Sequence, residues 1–440
     1  MPDTVVTRTG LLDAFATYGR PKDAWLVGAE FERHLLTRDG TPLPYFGEPG
    51  VQWLLKRFQA EGWAPHFEGE HLIALHRGIA NITLEPGGQF ELSGAPHTRL
   101  QAIHDEAHSF ITDIDRLTEG AEVHQGAIGF TPYAAIPDIP WVPKGRYVLM
   151  RSHLARTGAL AHHMMKGTCA VQASFDFADE AGAARKVQLS TLLGPLTTAM
   201  FANSPYKDGR FCGYMTWRGH AWTQTDPSRT GFPEAAVDFT FERWIDYLLD
   251  VPMMFKQSAD GEWLATNGQT FRSWLDSDTP PTWADWDLHM TSVFPEVRIK
   301  KQIEVRGADC VGLDLSMAFV ALFKGIFYCD KGLNEATELA IRFGQEGTRG
   351  ERFHAACEHG LQAQVGAKRF ADWASELCHI ATSSLQRCAP EDVHWLAPLT
   401  ELAERGTSPA HLLLKQLGTE PEPAVLLEAI HPLARLNLEG

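Results

Sequence analysis

Val27-Gly28-Ala29-Glu30-Phe31-Glu32 is the stretch whose reading decides the fold. Successive side chains of a strand point to opposite faces, so residues two apart share a surface. Glu30 and Glu32 then share one face, while Val27, Ala29 and Phe31 share the other. An ordinary solvent-facing strand carries the same alternation, so the reading depends on whether distant segments repeat it. Two do. Ile79–Glu85 and Gln89–Leu92 flank Pro86-Gly87-Gly88, a strand–turn–strand pattern in which Pro and Gly supply the turn and let Glu85 and Glu91 converge. From Val297 to Arg306 the chain reads as one more strand. Arg298, Lys300, Gln302, Glu304 and Arg306 form one row, and Val297, Ile299, Ile303 and Val305 form the other, interrupted by Lys301. Several acids and an arginine are therefore expected on the polar face of a sheet. A cluster of like charges needs cations to hold it, and divalent metal and arginine are the obvious ones. Phosphate and magnesium are handled together by such a composition.

Outward from these segments, helical spacing predicts helices over Thr7–Tyr18, Val51–Ala60, Leu100–Leu117 and Thr240–Leu249. A further helix over Ala181–Phe201 is expected to be interrupted at Gly194-Pro195. Gly126–Phe130 reads as extended. Gly167–Phe177 is another alternating strand, with Gln172 on its polar row. The Pro-rich stretch Pro132–Pro143 carries Ile136, Ile139 and Trp141, which makes it an ordered loop or lid candidate rather than a spacer. Beyond Arg306 the chain passes without a linker-like tract into apolar helix. The expectation is one catalytic domain over residues 1–440, with 25–310 holding the active-site strands and 311–440 mostly helical.

Bulk properties narrow the classes. The 440 residues are 44% apolar, enough for a sizeable core. A formal net charge of -16, from 39 basic and 55 acidic residues, disfavours general nucleic-acid binding. The seven cysteines are widely spaced and odd in number, which argues against a disulfide framework or zinc knuckle. Met1-Pro2-Asp3-Thr4 does not read as a signal peptide, and the stretch Leu315–Phe327 is short of a membrane span and contains Lys324. These features predict a cytoplasmic protein without membrane partners.

Three or more acids without neighbouring Cys or His suit magnesium better than structural zinc. Arg218 and Arg229, in a segment without amphipathic period, could clamp a small carboxylate or lie on a surface loop. Arg146 and Arg151 read more simply as surface, Lys144 and Arg146 are too few to make a nucleic-acid patch, and His153, His162 and His163 read as core, surface or hydrogen-bonding groups. Gln172 needs no function on a half-exposed strand. Neither a GxxxxGK[ST] phosphate loop nor a GxGxxG turn after a strand is present.

On these residues the chain resembles the plant-type glutamate–cysteine ligases, which also occur in bacteria. The likeness is carried by Val27–Glu32, Thr83–Gly94, Pro143–Tyr147, Thr168–Gln172, Ala199–Pro205, Trp222–Asp226 with Arg229-Thr230-Gly231, Phe294–Arg298 and Glu304–Asp309, and it covers roughly residues 25 to 430. The resemblance implies an α+β fold: a glutamine-synthetase-like, curved, mainly antiparallel sheet with surrounding helices and a helical C-terminal part. It implies that ATP converts the glutamate γ-carboxylate to an acyl phosphate, which the cysteine amine then displaces, on the way to glutathione. It also implies Glu30, Glu85, Glu91 and Glu304 as Mg2+ ligands, and Glu32 and Gln172 on the nucleotide side. Arg306 would contact transferring phosphate and nucleotide, and Arg218 and Arg229 would hold glutamate or stabilise the intermediate. The expected partners are glutamate, cysteine and ATP, for a monomer or homodimer.

Cys310-Val311-Gly312-Leu313-Asp314 departs from bacterial relatives, which tend to carry a Trp-containing sequence there. This keeps a different amine acceptor as an alternative. The cysteines thought to regulate plant members have no clear counterparts. A non-catalytic binding protein of the same fold is the remaining reading, disfavoured by the presence of every expected acid and arginine.

Overall fold

The alternation at Val27–Glu32 opens strand β1 (Val27–Leu36). The computed structural model describes residues 4–434. Around β1 gather β2 (Ala64–Glu68), β3 (His71–Arg77), β4 (Ala80–Leu84), β5 (Phe90–Ser93), β6 (His124–Gly126), β7 (Ala170–Phe175), β8 (Val297–Ile299) and β9 (Ile303–Asp309). They form a nine-stranded sheet in the order β8-β9-β7-β1-β5-β4-β3-β2, with β6 pairing the far end of β1. Every pairing within it is antiparallel.

The apolar rows build the core. Val27, Ala29 and Phe31 of β1 and Val171, Ala173 and Phe175 of β7 are buried under the helix Leu313–Tyr328. Phe175 meets Phe323 and Phe327 at ring distances of 6.2 and 5.1 Å. That helix is buried around nearly its whole circumference, because the sheet takes one side and the helix Phe370–Cys388 another. Each aliphatic or phenyl side chain removed from water here contributes about 1.5–3 kcal/mol. The acid rows are left to face the opposite way.

Four expectations are corrected. The sheet is neither closed nor curved, so the glutamine-synthetase-like curvature does not hold. It is open, with β8 and β2 as free edges. Curvature is built by repeated bulges and glycine kinks. Among the described residues its ladders shift register only between Val305 and Ala308 against β7, and between His66 and Phe67 against β3. The stretch Val297–Arg306 is a hairpin rather than one strand: Val297 pairs Val305, Arg298 pairs Glu304 and Ile299 pairs Ile303. Lys301 interrupts the apolar row because it sits in the turn. The helix Glu180–Met200 runs through Pro195 without interruption. Nearly every residue from Val187 to Met200 is buried, and that burial outweighs the roughly 3 kcal/mol an internal proline costs. Gly126–Phe130 is paired as strand only at its two ends, where Gly126 closes β6 and Phe130 bridges Thr168.

The α+β class, the antiparallel pairing and the helical C-terminal part stand, the last six residues lying outside those described. The Pro132–Pro143 stretch is pinned down: Ile136 and Ile139 pack with Phe130, and Lys166 Nζ donates to the Ile139 carbonyl at 2.7 Å.

Candidate active site

Strand register places the polar side chains in rows across the sheet. Thr83, Glu91 and Glu32 line up across β4, β5 and β1. Ser93, Glu30 and Gln172 form the next row across β5, β1 and β7. Gly28, Ser174, Glu304 and Arg298 form the third, across β1, β7, β9 and β8. Directly opposed side chains sit roughly 4.5–5.5 Å apart at Cβ, so Glu32 and Glu91 are forced neighbours. Glu85 joins them from the turn after β4. Gly88 supplies the positive φ of +88° that the turn requires. Gln89 fastens the turn: its Oε1 accepts from the Gly87 amide at 2.8 Å, and its Nε2 donates to the Thr168 carbonyl at 2.9 Å.

Over these rows lies a cavity of about 310 Å³. Of the residues singled out from sequence, Glu30, Glu32, Glu85, Glu91, Gln172 and Arg306 line it. Glu304 is held in the wall beside it, where Oε2 accepts from Arg298 Nε at 2.7 Å and Oε1 pairs with Lys300 Nζ at 3.0 Å. Arg306 joins Gln172 to this group, its Nη1 donating to Gln172 Oε1 and lying 3.5 Å from Glu304.

Two arginines stand elsewhere. Arg218 is buried behind β9; its Nη2 donates to the Arg306 carbonyl at 2.9 Å and its Nη1 lies 3.8 Å from Asp309. Arg229 is wholly buried, and its guanidinium is engaged by Asp226 and by the Ser292 and Pro252 carbonyls. Neither is among the residues that line the cavity.

A further wall is built by residues to which the sequence assigned no part in the site. Lys144, Arg146 and Tyr147 line the cavity, with Trp222, Phe255 and Phe294 beside them. Lys144 Nζ and Tyr147 Oη both donate to the Leu84 carbonyl, at 2.7 and 2.6 Å. Burial, then Arg146, bring the Lys144 amine down to about 8. Arg298 was also passed over, although it shares the polar row with Glu304. The hairpin brings it to within 2.7 Å.

Charge acts unevenly on these acids. Burial, then the Glu30, Glu85 and Glu32 carboxylates, push Glu91 well above the usual carboxylate range. Burial and then Glu85 push Glu32 up to about 8, despite an amide bond from Ala170 at 2.6 Å. Glu30 is raised by burial and by Glu304. At Glu304 burial acts in the same sense, but Arg298, Lys300 and Arg306 outweigh it and pull the carboxyl down. Nearby cations thus offset burial only in part at Glu30 and Glu32, and outweigh it at Glu304.

The acid cluster suits a hard divalent cation, since every donor is oxygen. Among the described residues no group of three or more His, Cys, Asp or Glu is already spaced to hold a metal ion. Magnesium does not require one, because it usually takes one or two carboxylates and completes its octahedron with water and substrate phosphates.

A pH dependence follows from the raised acids. Their folded-state values lie above the unfolded ones, so between about pH 5 and 8 the folded protein holds more protons than the unfolded chain, and its stability falls as pH rises through that window. Thermal unfolding should show a lower midpoint at about pH 8 than at about pH 6. Magnesium chloride should recover more of it at the higher pH, and equal recovery at both would contradict the acid-cluster reading.

An acid-walled cavity on an antiparallel sheet, with cationic side chains also lining it, is the apparatus of an enzyme handling charged small molecules. The chain belongs to glutamate-cysteine ligase family 2, whose family model matches residues 26–429. It is 34% identical over 428 residues to the chloroplastic glutamate–cysteine ligase of Brassica juncea, covering 94% of this chain and 82% of that one. It is 33% identical over 430 residues to the chloroplastic glutamate–cysteine ligase B of Oryza sativa subsp. japonica, covering 96% and 86%. In fold it is similar to the Francisella tularensis glutamate–cysteine ligase solved in complex with AMP, with a TM-score of 0.59 at 12% identity over 93% of this chain and 88% of that one. These relatives overturn the cytoplasmic expectation: the Brassica and Oryza enzymes are chloroplastic, so unpaired cysteines and an unremarkable first segment do not select the cytosol. No described helix is long and apolar enough to cross a membrane.

Proposed function

We propose that this enzyme joins the γ-carboxylate of glutamate to the amine of cysteine at the expense of ATP, through a γ-glutamyl phosphate. The observation that carries the reading is the meeting of Glu30, Glu32, Glu85 and Glu91 with Arg306 in one cavity, in a chain of this family. Mg2+, each ion taking one or two of the Glu30, Glu85, Glu91 and Glu304 carboxylates, would supply charge neutralisation for the ATP phosphates. Arg306 lies where it can offset negative charge on the transferring phosphoryl group, and Gln172 fixes it there. Glu32, bonded to Gln172 Nε2 at 3.3 Å, belongs to the nucleotide side. Arg218 and Arg229 act from behind. Arg218 braces the Arg306 backbone, and Arg229 fixes the segment bearing Ser292 and Phe294 against the cavity. Lys144 and Arg146 face the acids and suit an anionic substrate group.

Strands and C-terminal helices work as one catalytic unit in this reading, which is supported by a single apolar cluster running from Phe31 and Val171 through Phe319 to Leu377. Cys310 no longer favours a different acceptor. It is fully buried behind the acid rows, bonded to Arg33 and the Glu32 carbonyl, and is not among the residues lining the cavity.

The test is ADP release from glutamate, ATP and magnesium against a panel of amino acids and amines. Cysteine-dependent turnover is expected. Selective turnover with another amine would replace the acceptor, and absence of turnover and of nucleotide binding would overturn the reading.

A further inference from the structure

We propose that Glu68 is a positioning residue for the cationic wall of the cavity, joining the helix Gly145–Leu154 and the hairpin Phe255–Gln257/Trp263–Ala265 on one carboxylate oxygen. Glu68 closes β2, the edge strand of the sheet. Its Oε1 accepts from the Gly145 amide at 2.8 Å and from Trp263 Nε1 at 2.8 Å. The helix that begins at Gly145 carries Arg146, Tyr147 and Met150 into the cavity, and the hairpin carries Phe255. Trp263 and Phe255 meet edge to face, 5.2 Å apart. A movement of either element therefore moves cavity-lining groups.

The junction leaves no slack. A Cβ on Gly145 would fall 2.4 Å from Trp263 Cδ1 and 2.6 Å from Glu68 Oε1, so only glycine lets the three approach. A carboxylate at the first amide of a helix is favourable both as a charge-assisted acceptor and against the helix dipole. Glu68 is not among the residues lining the cavity, although its charge reaches Lys144 and Arg146, which are. It acts through Gly145 and Trp263 on the side chains that line it.

The kinetic test rests on the ligase reading; a test by hydrogen exchange does not. On the full chain, Glu68→Ala should raise KM for an anionic substrate, glutamate or ATP, roughly tenfold with kcat within about twofold, as small misplacements of binding groups do. Amide exchange over 145–154 and 255–265 should quicken. Glu68→Gln keeps an acceptor oxygen and should restore KM to within about threefold of the parent. Trp263→Phe keeps the ring against Phe255 but removes the N–H, so exchange should quicken in the hairpin alone. Unchanged KM and exchange in Glu68→Ala, equal impairment in Glu68→Ala and Glu68→Gln, or unchanged hairpin exchange in Trp263→Phe would each overturn the assignment. A parent enzyme without turnover would count against the ligase reading, and exchange would still decide the role of Glu68.

Discussion

Glu91→Gln is expected to lower kcat/KM by a hundredfold or more, on the order of what removing one preorganised charge costs a transferring group. The same change should make the unliganded protein more stable at about pH 8. Glu91 is buried opposite Glu32, within the field of Glu30 and Glu85, and its only side-chain donor in the described contacts is Thr83. Such a carboxylate is held in place at a cost, and glutamine removes the repulsion while keeping the shape. Opposite signs for activity and stability separate a functional acid from a structural one. Steady-state ADP release and thermal unfolding at two pH values measure both. A variant with the parent's kcat/KM, or one that is less stable at about pH 8, would remove Glu91 from the site.

Arg229→Ala carries the largest expected cost in stability, roughly 3–5 kcal/mol, because it strands a buried charge. Arg229 Nε donates to Asp226 Oδ2 at 2.7 Å, and its other nitrogens satisfy two carbonyls at 3.1 and 2.6 Å. Asp226 is buried too. Burial alone would raise its carboxyl, yet bonds from His153, Arg229 and Ser228 hold it well below the usual range. A depressed acid contributes stability that is present above its unfolded value and lost as pH falls toward the folded one. Denaturant titration of Arg229→Ala should therefore show the deficit at neutral pH and a smaller one near about pH 2. A loss under about 1 kcal/mol would mean the arginine is free to face substrate, as its sequence position had suggested.

The two fates of the arginines show how far local pattern reaches. Alternation assigned Glu30, Glu32 and Glu304 to the polar side of their strands, since period two needs no knowledge of partners. The Pro-Gly-Gly turn placed Glu85 with Glu91 for the same reason. Which strands lie side by side is not a local property. Arg298 was overlooked because Lys300–Gln302 folds as a turn, putting it opposite Glu304 instead of along the same strand. Arg146 read as surface because a lone charged residue usually is; only the approach of the helix Gly145–Leu154 to the end of β4, where Lys144 donates to the Leu84 carbonyl, brings it and Lys144 to the cavity. Arg218 and Arg229 were drawn toward substrate by their type, and buried carboxylates and carbonyls claimed them instead. The interruption at Pro195 failed similarly, for burial on all sides is set by elements far away in the chain. Sheet curvature came from likeness, not from residues, and ladders that shift register in only two described places do not build it.

The short connection between β8 and β9 has a consequence for how this enzyme could be retuned. β9 is anchored by its ladder to β7, whereas β8 is an outermost strand with a single neighbour in the sheet. Adding or deleting one residue at Lys300–Gln302 would leave Glu304 and Arg306 where they are and slide β8 alone. The slip would turn Arg298 over to the other side and strip Glu304 of its nearest counterion. Loop length, with no change to any acid, is thus a dial on the cavity's electrical balance.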